Sequence, residues 1–185
     1  MIQSQKPTFR PQTLSRVLVI GCPGAGKSTF ARALRDVSGL PLTYLDMLFQ
    51  RPDRTTASRE EFDAALAAVM AQPRWIIDGN YHRTLPLRFE RCDTVYDFDL
   101  PPEDCLAGAM ARIGHAREDM PWVERELDPE FRQYILDFAR DQRPAIEALK
   151  AQYRAQKRIV VFRTREEAAR YLQGLRQSNE TEEIP

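Results

Sequence analysis

No stretch of this 185-residue chain is apolar over the length of a membrane span, and the start, Met1-Ile2-Gln3-Ser4-Gln5-Lys6-Pro7, lacks the hydrophobic segment of a signal peptide. The protein is therefore expected in the cytoplasm, with no membrane partner. Cysteine is scarce: Cys22, Cys92 and Cys105 are odd in number, scattered and without CxxC spacing, which excludes a disulfide framework and a zinc-thiolate site. The two histidines, His82 and His115, form no metal set and are read as polar loop residues. Net charge is absent too, since 27 basic residues balance 27 acidic ones. That balance speaks against a dedicated nucleic-acid binder, which carries a basic excess or stripe.

Glycine is sparse as well, yet three of the eight glycines fall within Gly21-Cys22-Pro23-Gly24-Ala25-Gly26-Lys27-Ser28-Thr29. This is a complete phosphate-binding P-loop, placed after the β-branched run Val17-Leu18-Val19-Ile20 and before an Ala/Leu-rich helix. Glycines let the backbone curl until successive N–H groups point at phosphate oxygens, and the following helix adds the positive end of its dipole. Lys27 is placed for the β- and γ-phosphates, and Ser28 for a Mg²⁺ ion. Cys22 is read as a small filler. Two absences then narrow the P-loop class. No Asn-Lys-x-Asp is present to select guanine, and no apolar strand ends in the Asp-Glu that polarises water for hydrolysis. Transfer to a bound acceptor is favoured, because phosphoryl transfer needs mainly positioning and charge neutralisation.

Hydrophobic content of 43% and charged content of 29% are those of a soluble globular protein. Residues 1–13 and 177–185 are polar and read as flexible tails around a single domain, 14–176. Strand signals near 16–20, 41–45, 74–78, 94–98 and 158–162 alternate with helical ones. The pattern predicts an α/β, three-layer P-loop fold: a five-stranded parallel sheet with helices on both faces. Ser58 with Glu61 and Thr164 with Glu167 read as capping boxes, and Asp128-Pro129 as a third helix start. Pro144 must kink or interrupt the helix that follows, and Gly39 should stop the first one. Phe131, Tyr134, Phe138 and Tyr153 fall on a helical face and read as core.

Four segments resemble adenylate kinase-like small-molecule kinases: Tyr44-Leu45-Asp46, Asp78-Gly79-Asn80-Tyr81, Asp93 to Pro101, and the arginine-bearing run 112–127 where such kinases carry a small lid. More narrowly, Tyr44-Leu45-Asp46, Trp75 to Tyr81, Thr84-Leu85-Pro86-Leu87-Arg88 and Asp119-Met120-Pro121 together look like the DNA topology modulation family of P-loop proteins. The resemblance spans roughly residues 16–175. It implies the P-loop kinase fold, ATP binding and kinase-like chemistry on an acceptor that the family does not define. The chain departs from the family pattern at Trp122-Val123-Glu124-Arg125-Glu126.

The candidate site follows. Gly21, Pro23, Gly24, Ala25, Gly26, Lys27, Ser28 and Thr29 are assigned to the nucleotide, with Arg163 in the loop after the fifth strand that holds adenine in such kinases. Asp78 ends a strand beside the P-loop strand and is read as a metal ligand through water, with a plain Asp-Gly turn as the other reading. Asp46 either orients an acceptor hydroxyl or caps the turn at 47–49. Asn80 and Tyr81 are candidates for the acceptor, with a turn amide and a half-buried aromatic as the other readings, and Arg88 is assigned to it, since a guanidinium suits a planar or phosphorylated ligand, with an exposed helix face as the alternative. Arg112 and Arg117 are assigned to the transferring phosphoryl group; Arg83 and Arg125 read as surface. The expected function is ATP- and Mg²⁺-dependent transfer of the γ-phosphoryl group to a nucleotide or other small polar acceptor. A nucleotide-switched regulator acting on DNA or a protein partner is the alternative, with the neutral charge balance opposing it.

Overall fold

The computed structural model describes residues 14–182, with side chains to 178. Five strands form one parallel sheet: β1 (Arg16–Gly21), β2 (Leu42–Tyr44), β3 (Trp75–Asp78), β4 (Thr94–Phe98) and β5 (Arg158–Phe162). Their order across the sheet is β2-β3-β1-β4-β5. Val17, Leu18, Val19 and Ile20 are all fully buried, as a central strand covered on both faces requires. Leu18 faces Ile77 on one side and Val95 on the other, which fixes the register of the three central strands.

Among the described residues eight α-helices accompany these strands, the last following β5: α1 (Lys27–Ser38), α2 (Leu45–Phe49), α3 (Arg59–Met70), α4 (Leu85–Arg91), α5 (Pro102–Ala111), α6 (Pro129–Asp141), α7 (Arg143–Tyr153) and α8 (Arg165–Glu182). From β1 the chain steps one way across the sheet to β2, then returns through β3, β4 and β5 in the other direction. Right-handed crossovers therefore place α1 on one face and the later crossover helices on the other. Packing of α1 against α8, and of α4 against α7, follows that division. The sheet reverses its direction of growth around β1, so a crevice opens at the carboxyl ends of β1 and β3.

Local signals act as their chemistry dictates. Gly39 closes α1 in the left-handed region at φ 64°. Ser58 and Glu61 form a complete capping box, and Asp128 caps the Phe131 N–H at 2.9 Å. Gln142 separates α6 from α7, with Pro144 in the first turn of α7, so the proline interrupts the helix. The Thr164 cap is offset: Thr164 accepts from the Glu167 N–H, while the Glu167 carboxylate reaches the Arg163 N–H instead of that of Thr164. Helix α8 runs on to Glu182, past Gln177 where the sequence predicts a frayed end. The predicted tail at 1–13 lies outside the described residues. No helix among the described residues is long and apolar enough to cross a membrane.

Candidate functional site

The floor of the site is the loop between β1 and α1. Gly21, Gly24 and Gly26 have φ values of 132°, 81° and 102°, a conformation that side-chain-bearing residues avoid. A Cβ at Gly24 would also strike the Cys105 carbonyl, so α5 lies directly against the loop. Ala25 is buried beneath it, and Pro23, Gly24, Gly26, Lys27, Ser28 and Thr29 line a cleft of about 780 Å³. Lys27 Nζ donates to the Cys22 carbonyl at 3.0 Å, inside the ring of loop amides. Cys22 is the filler expected: it is buried, and its hydrogen bond with Cys105 together with burial pushes the thiol up, away from reactive thiolate.

Beside the loop, Ser28 Oγ donates to Asp78 Oδ2 at 2.6 Å. Asp78 is buried at the end of β3, and its other oxygen, Oδ1, has no hydrogen-bond partner. Burial pushes its carboxyl up to about 6, with Lys27 and Ser28 pulling the other way. A hard hydroxyl oxygen, a hard carboxylate and an orphaned acceptor oxygen at one point suit Mg²⁺. No group of three or more His, Cys, Asp or Glu among the described residues forms a full cage, in keeping with an ion that keeps several waters.

Asp46 faces the same cleft from α2. It lies inside the first turn of α2, whose capping position is Tyr44, so it does not cap that turn. Its carboxylate lines the cleft and accepts from the Tyr81 hydroxyl at 2.8 Å. Burial raises its pKa, and the Tyr81 bond and Lys27 oppose the shift. Tyr81 sits at φ 39°, an unusual angle for a residue with a bulky side chain, and stacks on Phe62 with ring centroids 4.9 Å apart.

Two assignments change here. Arg88 is fully buried and does not line the cleft; its guanidinium donates to the carbonyls of Gly79 at 2.8 Å, Tyr81 at 3.2 Å and Asn80. It clamps the 79–81 turn: both terminal nitrogens are spent on backbone carbonyls and Nε is buried without a partner, so the guanidinium presents nothing to the cleft. Burial lowers its pKa to about 9. Asn80 lines the cleft, but its amide is engaged with Gly21 in both directions, accepting from N–H at 3.0 Å and donating to C=O at 2.8 Å. It braces the root of the P-loop against β3.

The segment 112–127 has no regular helix or strand and is held by charge. Arg117 pairs with Asp119 at 2.8 Å and with Glu124 at 2.9 Å, and Arg112 pairs with Glu124 at 3.2 Å. Burial lowers the Arg112 pKa, and Arg117 beside it acts in the same direction. Outward ties run to α1: Glu118 meets Arg35 at 3.1 Å, and Asp119 meets Arg32 at 3.7 Å. Arg112 and Arg117 both line the cleft.

Arg163 takes a different place from the one assigned. Its side chain is 69% exposed and paired with Asp99 at 2.5 Å, and it does not line the cleft. Arg165, two residues later, reaches the P-loop instead, donating to the carbonyls of Gly24 at 3.0 Å and Asp104 at 2.8 Å. Sequence reasoning also missed Arg32, which lines the cleft and donates to Thr29 Oγ1 at 3.3 Å. Its signal was available, four residues after Ser28 on the same helical face. For Arg165 there was none, since nothing local separates it from Arg163.

No family model matches the chain, and no curated protein is significantly similar to it in sequence. Solved structures are similar in fold. Shikimate kinase from Acinetobacter baumannii in complex with shikimate aligns with a TM-score of 0.58 and 17% identity over 94% of this chain and 97% of the other. Shikimate kinase from Bacteroides thetaiotaomicron aligns at 0.55 and 17% over 90% and 99%. A gluconokinase from Sinorhizobium meliloti 1021 aligns at 0.52 and 15% over 93% and 99%. The chain has the P-loop kinase fold over nearly its full length.

Proposed function

We propose that this protein is an ATP- and Mg²⁺-dependent kinase that transfers the γ-phosphoryl group to a hydroxyl of a small polar acceptor. One observation carries the reading: the P-loop, the Ser28–Asp78 pair and the Asp46 carboxylate all open on one cleft. A phosphoryl donor and a proton acceptor thus share a single space. The fold shared with kinases that act on small hydroxylated compounds supports it, as does the DNA topology modulation resemblance in its kinase-like part.

Loop amides from Gly21 to Ser28 hold the phosphates, and Lys27 exchanges the Cys22 carbonyl for phosphate oxygens. Ser28 and Asp78 would hold Mg²⁺, which neutralises charge on the β- and γ-phosphates. Asp46 accepts the proton of the acceptor hydroxyl while Tyr81 holds the carboxylate in place. Its raised pKa brings it closer to the proton-accepting range than a surface carboxylate. Arg112 and Arg117 cover the γ-phosphoryl group, where charge spreads over equatorial oxygens. Gly79 occupies the position after Asp78 where a hydrolase carries its water-activating glutamate.

Profiling of metabolite extracts with isotope-labelled ATP tests the reading by mass spectrometry. A labelled product is expected with the wild type and not with Lys27→Ala. Steady release of phosphate from ATP, unchanged by any acceptor, would overturn it.

A further inference from the structure

His82 is unusual among the residues around the cleft. Both ring nitrogens, Nδ1 and Nε2, are buried and neither has a hydrogen-bond partner. A buried polar atom without a partner carries a desolvation cost that proteins rarely leave standing. The ring lines the main cleft and also a smaller, mostly aromatic recess of about 370 Å³ formed with Phe49, Phe62 and Tyr81. Its position is built, because the preceding turn is clamped by the buried Arg88 and Tyr81 is held at positive φ. On its far side the imidazole rests near Phe138 on α6, with centroids 6.2 Å apart. Burial, aided by Arg88, lowers its pKa and keeps the ring neutral, so one nitrogen donates and the other accepts.

Two other residues of the cleft wall, Gln50 and Tyr134, are neutral as well. Both line the same space as His82. Tyr134 lies close enough to Asp46 to feel its charge. Near His82, Arg88 is committed to the backbone and Arg83 to Asp63 at 3.0 and 2.5 Å, while Arg54 and Arg125 line the cleft only from its exposed rim. A nucleoside monophosphate would meet no buried, available guanidinium at this end.

We infer that His82, with Gln50 and Tyr134, forms the acceptor subsite, and that its occupant is a phosphate-free polyhydroxylated small molecule whose hydroxyls pair with the imidazole nitrogens beside Asp46. Neutral groups that both donate and accept match vicinal hydroxyls, which also do both. The inference rests on the kinase reading for the fate of the hydroxyl and stands independently for binding.

With two histidines in the chain, the His82 imidazole is observable by NMR after assignment with His82→Asn. The full-length protein, loaded with Mg²⁺ and a non-hydrolysable ATP analogue, is titrated with glycerol, myo-inositol, D-ribose, D-gluconate and shikimate, and with AMP and dTMP. The His82 signals are expected to move with a hydroxylated probe and not with AMP or dTMP. His82→Phe should weaken that binding about tenfold, His82→Asn should recover part of it, and ATP affinity should stay within about twofold. Response to AMP or dTMP, or to none of the probes, would overturn the inference. Labelled ATP in parallel samples separates the two readings. Binding at His82 without transfer sinks the kinase and leaves the subsite, whereas transfer without a response at His82 does the reverse.

Discussion

The floor and the wall of the cleft are built by different physics. The floor, Gly21 to Ser28, is backbone: left-handed glycines, a helix start and one hydroxyl–carboxylate bond, all within a few residues of one another except Asp78. The wall, Arg112 to Glu126, has no regular structure and is held by ion pairs among Arg112, Arg117, Asp119 and Glu124. Backbone curvature persists whether or not phosphate is present, so the floor is organised in advance. Ion pairs exchange partners when a more highly charged anion arrives, so the wall responds to its ligand. On the proposed reading, a triphosphate would compete with Glu124 and Asp119 for Arg112 and Arg117, linking nucleotide binding to the position of this segment.

Breaking the floor should have the largest effect. Lys27→Ala is expected to lower phosphoryl transfer by about a thousandfold, read by labelled-product formation, with the thermal midpoint of the empty protein nearly unchanged. Next comes the clamp behind the acceptor side. Arg88→Met leaves the Gly79 and Tyr81 carbonyls buried without their donor and should cost about 3 kcal/mol in urea unfolding, with Arg88→Lys recovering little because one ammonium cannot span three carbonyls.

Asp78 sharpens the contrast further, since in the proposed role it would serve the ligand against the stability of the empty fold. Its folded pKa of about 6 lies above the ordinary 3.8, so its stabilising contribution is present below pH 3.8 and fades as the pH rises through about 6. Asp78→Asn should therefore stabilise the empty protein at pH 7 by about 1–2 kcal/mol, flatten the fall between pH 4 and 6 in calorimetry, and still abolish transfer. An unchanged thermal midpoint would place the carboxylate in a wetter environment than the structure shows.

The wall should yield the smallest effect. Glu124→Gln removes the ion pair of Arg112 and one of the two of Arg117, which keeps Asp119, and is expected to tighten ATP binding about two- to fivefold at low salt, a gain that shrinks as salt rises. Calorimetric titration at two ionic strengths measures it. A larger effect from Glu124 than from Lys27 would reverse the comparison between wall and floor.

Legibility in the sequence follows the same division. Five strands, the Gly39 stop, the Ser58–Glu61 box and the break at Pro144 depend on neighbours within a few positions, and they lie where the sequence places them. Ser28 and Asp78 were legible because a P-loop and a strand end each have a local signature, although their 2.6 Å bond joins residues 50 apart. Arg88 shows where such reading stops. An arginine after a strand looks alike whether it faces a ligand or turns inward, and only the path of the 79–81 turn decides. The same holds for Arg163 and Arg165, where two residues of helix-start geometry determine which guanidinium reaches Gly24.

By itself the sequence determined the sheet, the phosphate loop and the class of ligand that loop can hold, because glycine conformation, strand hydrophobicity and helix caps are short-range properties. Tertiary structure decided which arginine clamps and which one faces the cleft, that Asn80 braces Gly21, and that His82 is left with two unpaired nitrogens beside the cleft. Those outcomes depend on what lies across the fold from each side chain. Burial and long-range partners, absent from any local window, set the hydrogen bonds and charges that make the site.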